Sequence, residues 1–285
     1  MHCTATVNKA WAKVAVCWLM VGVAAAQNSA PVVPTDHYGP PVCGVGKAAA
    51  GHRMSADAAR AEEEVGARNV GALLATEPVE NFAIARYRLA DYADCVGEGG
   101  CYWADLDAQY KRAEKVLAEA KRAPGEKLAV VMDIDETTLS DYCEMKREDF
   151  GYLSGMFNSW VVSSDAAVAI PGALRLFNEA KAAGVAVFFI TGRPGIQVAG
   201  GSGDQTAATA KNLEAAGFRG WTGLRLRNGA ENSMTTIAYK SEERKKIVEE
   251  GYTIVMSVGD QWSDLLGEPQ AKVSVKLPNP FYFLP

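Results

Sequence analysis

The sequence is poor in histidine, and its three copies, His2, His37 and His52, all lie in the first part of the chain. Nothing downstream can therefore assemble a Ser-His-Asp triad, a histidine phosphatase or a His-rich zinc or di-iron site. No cysteine is followed six residues later by arginine, which excludes a cysteine-phosphatase loop. The stretch CGVGKAA at Cys43 lacks the first glycine and the Ser/Thr of a P-loop, and no G-x-G-x-x-G follows an apolar run. There is no internal repeat of solenoid length. Basic charge is also short: the net charge of -5 argues against a nucleic-acid surface.

The sequence also lacks an apolar run long enough for a comfortable membrane span. The longest, VAVCWLMVGVAAA from Val14 to Ala26, follows Lys9 and Lys13, ends in Ala24-Ala25-Ala26 and is succeeded by polar Gln27-Asn28-Ser29. This is the pattern of a cleavable signal peptide over residues 1–26, cut after Ala26, which predicts a secreted or periplasmic protein without a stable membrane span. Cys17 does not mark a lipoprotein, because Val16 is bulky where a small residue belongs. Cleavage removes two lysines and no acid, taking the charge from -5 to -7. Four cysteines remain, an even number in an exported chain. Cys95 and Cys101 flank the turn VGEGG and can close a short disulfide loop, leaving Cys43 with Cys143 by elimination; the alternative is free buried thiols.

Residues 27–54 are rich in proline, glycine and small side chains and read as a linker or extended arm. Residues 55–123 have helical periodicity, clearest in LDAQYKRAEKVLAEAKRA, which Pro124-Gly125 stops. This extension carries no convergent polar cluster and reads as a helical support. From residue 124 to 285 the rhythm changes. LAVVMDI, VAVFFIT and YTIVMSVGD are short, β-rich and apolar throughout, as strands buried on both faces of a parallel sheet are. They alternate with the helical stretches GALRLFNEAKAAG, TAATAKNLEAAG and KSEERKKIVEEG, each closed by glycine. Such alternation predicts βαβ units in an α/β, doubly wound, Rossmann-like and mostly parallel sheet.

Ligands of such sheets bind beyond the carboxyl ends of the strands. That rule gathers Asp133 and Asp135 after the first strand, Thr191 and Gly192 after the second, and Asp260 and Asp264 after the third. Lys240 opens the helix before that third strand. Three acids, Asp133, Asp135 and Glu136, crowd the mouth of an apolar strand, where like charges repel and burial is costly. Carboxylates with one lysine and no histidine favour a hard cation such as Mg²⁺, which offsets that cost. An ionised aspartate beside Mg²⁺ can attack a phosphoryl group, while a second carboxylic acid protonates the leaving oxygen and later activates water. Lysine and backbone N–H groups hold the transferring charge.

These residues fall in four ordered motifs that resemble those of the haloacid dehalogenase (HAD) superfamily of phosphohydrolases. DIDET is similar to its first motif, which implies Asp133 as nucleophile and Asp135 as acid/base, with the backbone carbonyl of Asp135 on the metal. FFITGRP resembles the second, placing Thr191 and the Gly192 N–H on the phosphoryl oxygens. YKSEERKKI resembles the third, with Lys240 pairing nucleophile and phosphate. VGDQWSDL resembles the fourth, so Asp260 ligates Mg²⁺ and Asp264 supports the metal site or Lys240. The stretches DIDETTLSDY, FNSWV and the ending KLPNPFYFLP narrow the likeness to subfamily IIIB, the acid phosphatases grouped with plant vegetative storage proteins and bacterial class C enzymes. It spans Leu73 to Pro285. It departs in GIQVAGGSGDQ, residues 195–205, which is glycine-rich where relatives often carry a basic residue.

The resemblance implies an exported Mg²⁺-dependent acid phosphatase acting through an aspartyl-phosphate on small phosphate monoesters of broad range. The segment 142–170 is too short for a large cap, so an open pocket is expected. Trp160 is the candidate aromatic wall for a substrate base or ring, with Phe157 and Tyr282 as weaker ones. A 5'-nucleotidase, with nucleotides as substrates, is the alternative within the same chemistry. A storage or binding protein has no need of Asp133 and Asp135. A dehalogenase would use a single nucleophilic Asp, and Asp135 with the implied metal site speaks against it. Glu136 is expected to face away or to cap locally.

Overall fold

A computed structural model describes residues 40, 54–69, 71, 80–95, 100–195 and 205–284. The expected signal peptide, almost all of the linker, Cys43 and most of the glycine-rich loop lie outside the described residues. Among those described, no helix is long and apolar enough to cross a membrane.

Five parallel strands form the core: β1 (Lys127–Met132), β2 (Ala186–Pro194), β3 (Gly223–Arg227), β4 (Tyr252–Gly259) and β5 (Val273–Lys276), in the order β3-β2-β1-β4-β5. The alternation of side chains along β1 explains why it reads as unbroken apolar sequence. Val130 and Met132 join Leu176, Phe177, Phe189 and Leu213 on one face, while Ala129 and Val131 join Phe188, Tyr239 and Ile247 on the other. Helices α6 (Pro171–Ala182) and α7 (Gln205–Ala215) supply the first face, and α8 (Thr236–Glu249) the second. The chain runs β1-β2-β3 in one direction with helices on one face, then returns past β1 to β4 with its helix on the other. The reversal leaves a crevice between the carboxyl ends of β1 and β4, the place where doubly wound sheets bind ligands.

The helices α6, α7 and α8 are each closed by a glycine in the left-handed region, Gly184 (φ 63), Gly217 (φ 100) and Gly251 (φ 90). One expected boundary moves. Helix α8 starts at Thr236, because the Thr235 hydroxyl accepts from the Ala238 N–H at 3.3 Å, so Lys240 sits one turn inside the helix rather than at its opening. Strands β3 and β5, GLRLR and VSVK, were not expected. They are short, lie at the sheet edges and alternate apolar with polar residues.

The N-terminal extension contains α1 (Ala56–Asn69), α2 (Phe82–Asp94) and α3 (Tyr102–Ala118), the last ending before the Pro124-Gly125 stop. Cys95 and Cys101 are joined by a disulfide, which ties the end of α2 to the start of α3. Cys143 is also disulfide-bonded, and its expected partner Cys43 lies outside the described residues. The extension is more than support. Buried on α3, the Tyr110 hydroxyl donates to the Thr137 carbonyl at 2.6 Å, and Tyr102 donates to the Glu136 carboxylate, so α3 holds the loop after β1.

Helix α3 lies against the first turn of α6, and only glycine fits there: a Cβ on Gly172 would meet Tyr110 Cβ at 2.5 Å. Gly172→Ala should therefore cost about 1–3 kcal/mol through overpacking. Urea denaturation followed by circular dichroism measures this; an unchanged midpoint would mean that α3 and α6 can part at no cost.

Candidate active site

A cavity of about 580 Å³ opens over the crevice between β1 and β4. Asp133, Asp135, Gly192, Lys240, Asp260 and Asp264 all line it. Asp133 directly follows β1, and its N–H donates to the Val258 carbonyl of β4 at 3.0 Å, which fixes its backbone to the neighbouring strand end. Lys240, on α8 and 4% exposed, places Nζ 2.5 Å from both Asp133 Oδ1 and Asp264 Oδ1. Burial alone would lower the pKa of this ammonium, but the two carboxylates outweigh it and raise it, so Lys240 stays charged.

Asp260 follows β4 and is buried. Its Oδ1 accepts from the Thr137 hydroxyl at 3.0 Å and its Oδ2 from Gln261 Nε2 at 2.7 Å and Asn279 Nδ2 at 2.6 Å. Asp264 closes the 3₁₀ turn Trp262–Asp264, where its Oδ2 accepts from the Gln261 N–H at 2.8 Å. The turn can fold so tightly because residue 259 is glycine; a Cβ there would lie 2.2 Å from Asp264 Cβ. Burial and the neighbouring Asp264 push Asp260 up to about 6. Burial likewise pushes Asp133 well up, since Asp264, Asp260 and Asp135 add to desolvation and Lys240 only partly offsets them.

One carboxylate oxygen from each of Asp133, Asp260 and Asp264 lies within 4.8 Å of the other two, with the Lys240 ammonium bonded to Asp133 and Asp264. An oxygen-only donor set that burial leaves short of positive charge fits a hard divalent cation. The Asp135 carboxylate is outside this cluster, so any metal contact of Asp135 is left to its backbone carbonyl. Instead it faces Arg193, whose Nε donates at 3.0 and 3.1 Å and whose Nη2 donates at 2.5 Å. Thr191 is buried, with its hydroxyl 3.5 Å from Asp135 and accepting the Arg193 N–H at 3.2 Å. The β2–β3 register breaks between Ile190 and Pro194, around these residues. At Gly192 a Cβ would meet nothing within 4 Å, so this backbone borders open cavity.

Trp160 is the expected residue that the structure does not bring to the site. It lies on α5 (Ser154–Val161), 5% exposed, packed with Val161 and Ala166 inside the inserted segment. The helix turns its large ring inward and leaves Phe157 on the cavity wall, together with Tyr152, Tyr282, Phe283 and Leu284. Glu136 does cap locally, accepting from the Asp141 N–H at 2.5 Å and the Ser140 hydroxyl at 3.3 Å, with its backbone at φ 50. Sequence reading missed Arg193, although it stands inside TGRP. A cation in so apolar a strand end has to find a carboxylate, and that was the available signal. It also missed Asn279 and Gln261, whose roles depend on a distant part of the chain.

Comparison with known proteins identifies the family. The model for the HAD superfamily, subfamily IIIB (acid phosphatase), matches residues 53–285. Acid phosphatase 1 of Solanum lycopersicum is 34% identical over 198 residues, covering 68% of this chain and 74% of that protein. The stem 28 kDa glycoprotein of Glycine max is 34% identical over 159 residues, 54% of this chain and 59% of its own. The class C acid phosphatase from Bacillus anthracis shares the fold, with a TM-score of 0.53 at 23% identity over 70% of this chain and 84% of that one.

Arg193 grips Asp135 through a planar fork that a lysine cannot reproduce. Arg193→Lys should lower kcat/KM for an aryl phosphate about 10²-fold, the scale of a small misplacement of a reacting group. Steady-state kinetics on the folded variant would show this; wild-type kinetics would mean that the fork does not orient Asp135.

Proposed function

This chain belongs to the HAD superfamily, subfamily IIIB, and is a phosphomonoesterase of the acid phosphatase type; from that premise we propose that it is an exported, Mg²⁺-dependent enzyme working through an aspartyl-phosphate. The observation that carries this reading is the pair of unlike environments two residues apart. Asp133 sits in the buried cluster with Lys240, while Asp135 stands on the cavity wall in the grip of Arg193. Asp133, beside the Lys240 ammonium and in the cluster that fits a cation, is placed to attack as a carboxylate, and Asp135 on the wall is placed to exchange protons with the leaving oxygen and with water.

In the first step an Asp133 carboxylate oxygen attacks phosphorus, and the bond from phosphorus to the leaving oxygen breaks as Asp135 gives that oxygen a proton. In the second, Asp135 takes a proton from water, whose oxygen attacks the phospho-aspartate, releasing inorganic phosphate and restoring Asp133. Lys240 keeps Asp133 oriented and adds positive charge where the phosphoryl group passes, and the Gly192 backbone borders the same space. Mg²⁺, held by Asp133, Asp260 and Asp264 and by the Asp135 carbonyl, would neutralise the phosphoryl oxygens. Leaving groups would meet Tyr152, Phe157, Tyr282 and Phe283, an aromatic surface suited to aryl groups and to the bases of nucleotides. The insertion 142–170 is too short for a large cap, which supports a broad range of monoesters.

Asp133→Asn should abolish turnover of p-nitrophenyl phosphate while circular dichroism stays native. Near-wild-type release of phosphate would remove Asp133 from the nucleophile's role. EDTA should eliminate wild-type activity and added Mg²⁺ restore it; activity indifferent to chelation would refute the metal dependence.

A further inference from the structure

The end of the chain, residues 278–284, returns to the catalytic crevice, and its contacts converge on Asp260. We propose that this C-terminal strap belongs to the catalytic centre, with Asn279 as the residue that positions the Asp260 carboxylate for the metal. The inference rests on the reading of Asp260 as a Mg²⁺ ligand.

The amide of Asn279 has its orientation fixed from both sides. Its Oδ1 accepts the Phe281 N–H at 2.8 Å and the Tyr282 N–H at 3.4 Å, so its Nδ2 is left to donate to Asp260 Oδ2 at 2.6 Å. The other donor to that oxygen, Gln261 Nε2 at 2.7 Å, depends on the strap as well. Gln261 Oε1 accepts the Leu284 N–H at 3.0 Å, and Gln261 Nε2 also reaches the Tyr282 carbonyl at 3.3 Å. From β5, just before the strap, Lys276 Nζ donates to the Asp260 carbonyl at 2.5 Å. The strap is itself anchored, since Phe281 stacks on Phe150 at 5.8 Å and meets Tyr102 edge-on at 5.1 Å. Both donors to Asp260 Oδ2 are therefore held by the last few residues of the chain. Without them the buried Asp260 carboxylate would keep only the Thr137 hydroxyl as a side-chain donor, at Oδ1, and would lose what fixes Oδ2. Removing a partner that orients a metal ligand typically costs about 10–100-fold in affinity.

Mg²⁺ titration calorimetry of the full chain tests this without reference to turnover. Asn279→Ala should raise the Mg²⁺ Kd about 10–100-fold, with a native circular dichroism spectrum. Asp260→Asn should bind no Mg²⁺ in the same range. Wild-type affinity in N279A alongside lost binding in D260N overturns the strap's role and leaves the metal site standing. Wild-type affinity in D260N removes Asp260 from the metal site, and the present inference with it. Should N279A not fold, a chain ending at Phe281 keeps Asn279 but strips Gln261 of both backbone partners. Its Mg²⁺ affinity should also fall, and wild-type affinity there overturns the proposal.

Discussion

Lys240 is the contact on which the site depends, because it is the ammonium lodged among buried acids. Its Nζ bridges Asp133 and Asp264 and so pins α8 to the ends of β1 and β4. Breaking such a buried pair by removing one partner typically costs about 3–5 kcal/mol, since the other charge is left unpaired. Yet one ammonium does not balance Asp133, Asp260 and Asp264, and desolvation pushes both Asp133 and Asp260 upward. The fold tolerates this imbalance because the strand ends hold the backbone still. The Asp133 N–H is bonded across to β4, and Gly259 lets Asp264 lie against the strand. An unmet need for positive charge in a rigid place suits this crevice to a cation rather than to a structural salt bridge alone.

The loop after β1 is under a second constraint. Glu136 has a positive φ, unfavourable for a side-chain-bearing residue, and burial pushes its carboxyl up to about 8 despite the donors that surround it. Those donors come from the loop itself, Asp141 N–H and Ser140, and from Tyr102 on α3. Tyr110 adds a bond to the neighbouring carbonyl. The conformation that turns Asp133 and Asp135 toward the cavity is thus maintained by a helix of the N-terminal extension. This gives the extension a part in the chemistry that its own composition does not announce.

What was legible in the sequence follows from this arrangement. Strands β1, β2 and β4 are buried on both faces and so read as apolar runs; β3 and β5 lie at the edges and their alternating pattern is too short to stand out. Asp133, Asp135, Lys240, Asp260 and Asp264 could be placed together because topology puts strand ends on one rim, whatever their separation in sequence. Arg193, Asn279 and Gln261 could not, since their importance lies in a partner's position. Trp160 shows the converse: an aromatic residue near the right segment, turned inward by its helix into a small apolar cluster while Phe157 took the wall.

Chemistry and selectivity are consequently built from different materials. The residues proposed to react stand at the strand ends and on α8, where packing on both faces holds them to a fixed geometry. The cavity's upper walls come from the inserted segment, through Tyr152 and Phe157, and from the chain's end, through Tyr282, Phe283 and Leu284. Phe283 is 72% exposed and Tyr152 60%, so these walls are only lightly packed and can change side chain at small cost to the fold. The strap breaks this division: its Tyr282 and Phe283 line the cavity while the Asn279 amide and the Tyr282 and Leu284 backbone brace Asp260 directly or through Gln261. On the proposed reading, variation at Phe283 would alter which esters fit, whereas variation at Asn279 would act on machinery shared by every ester.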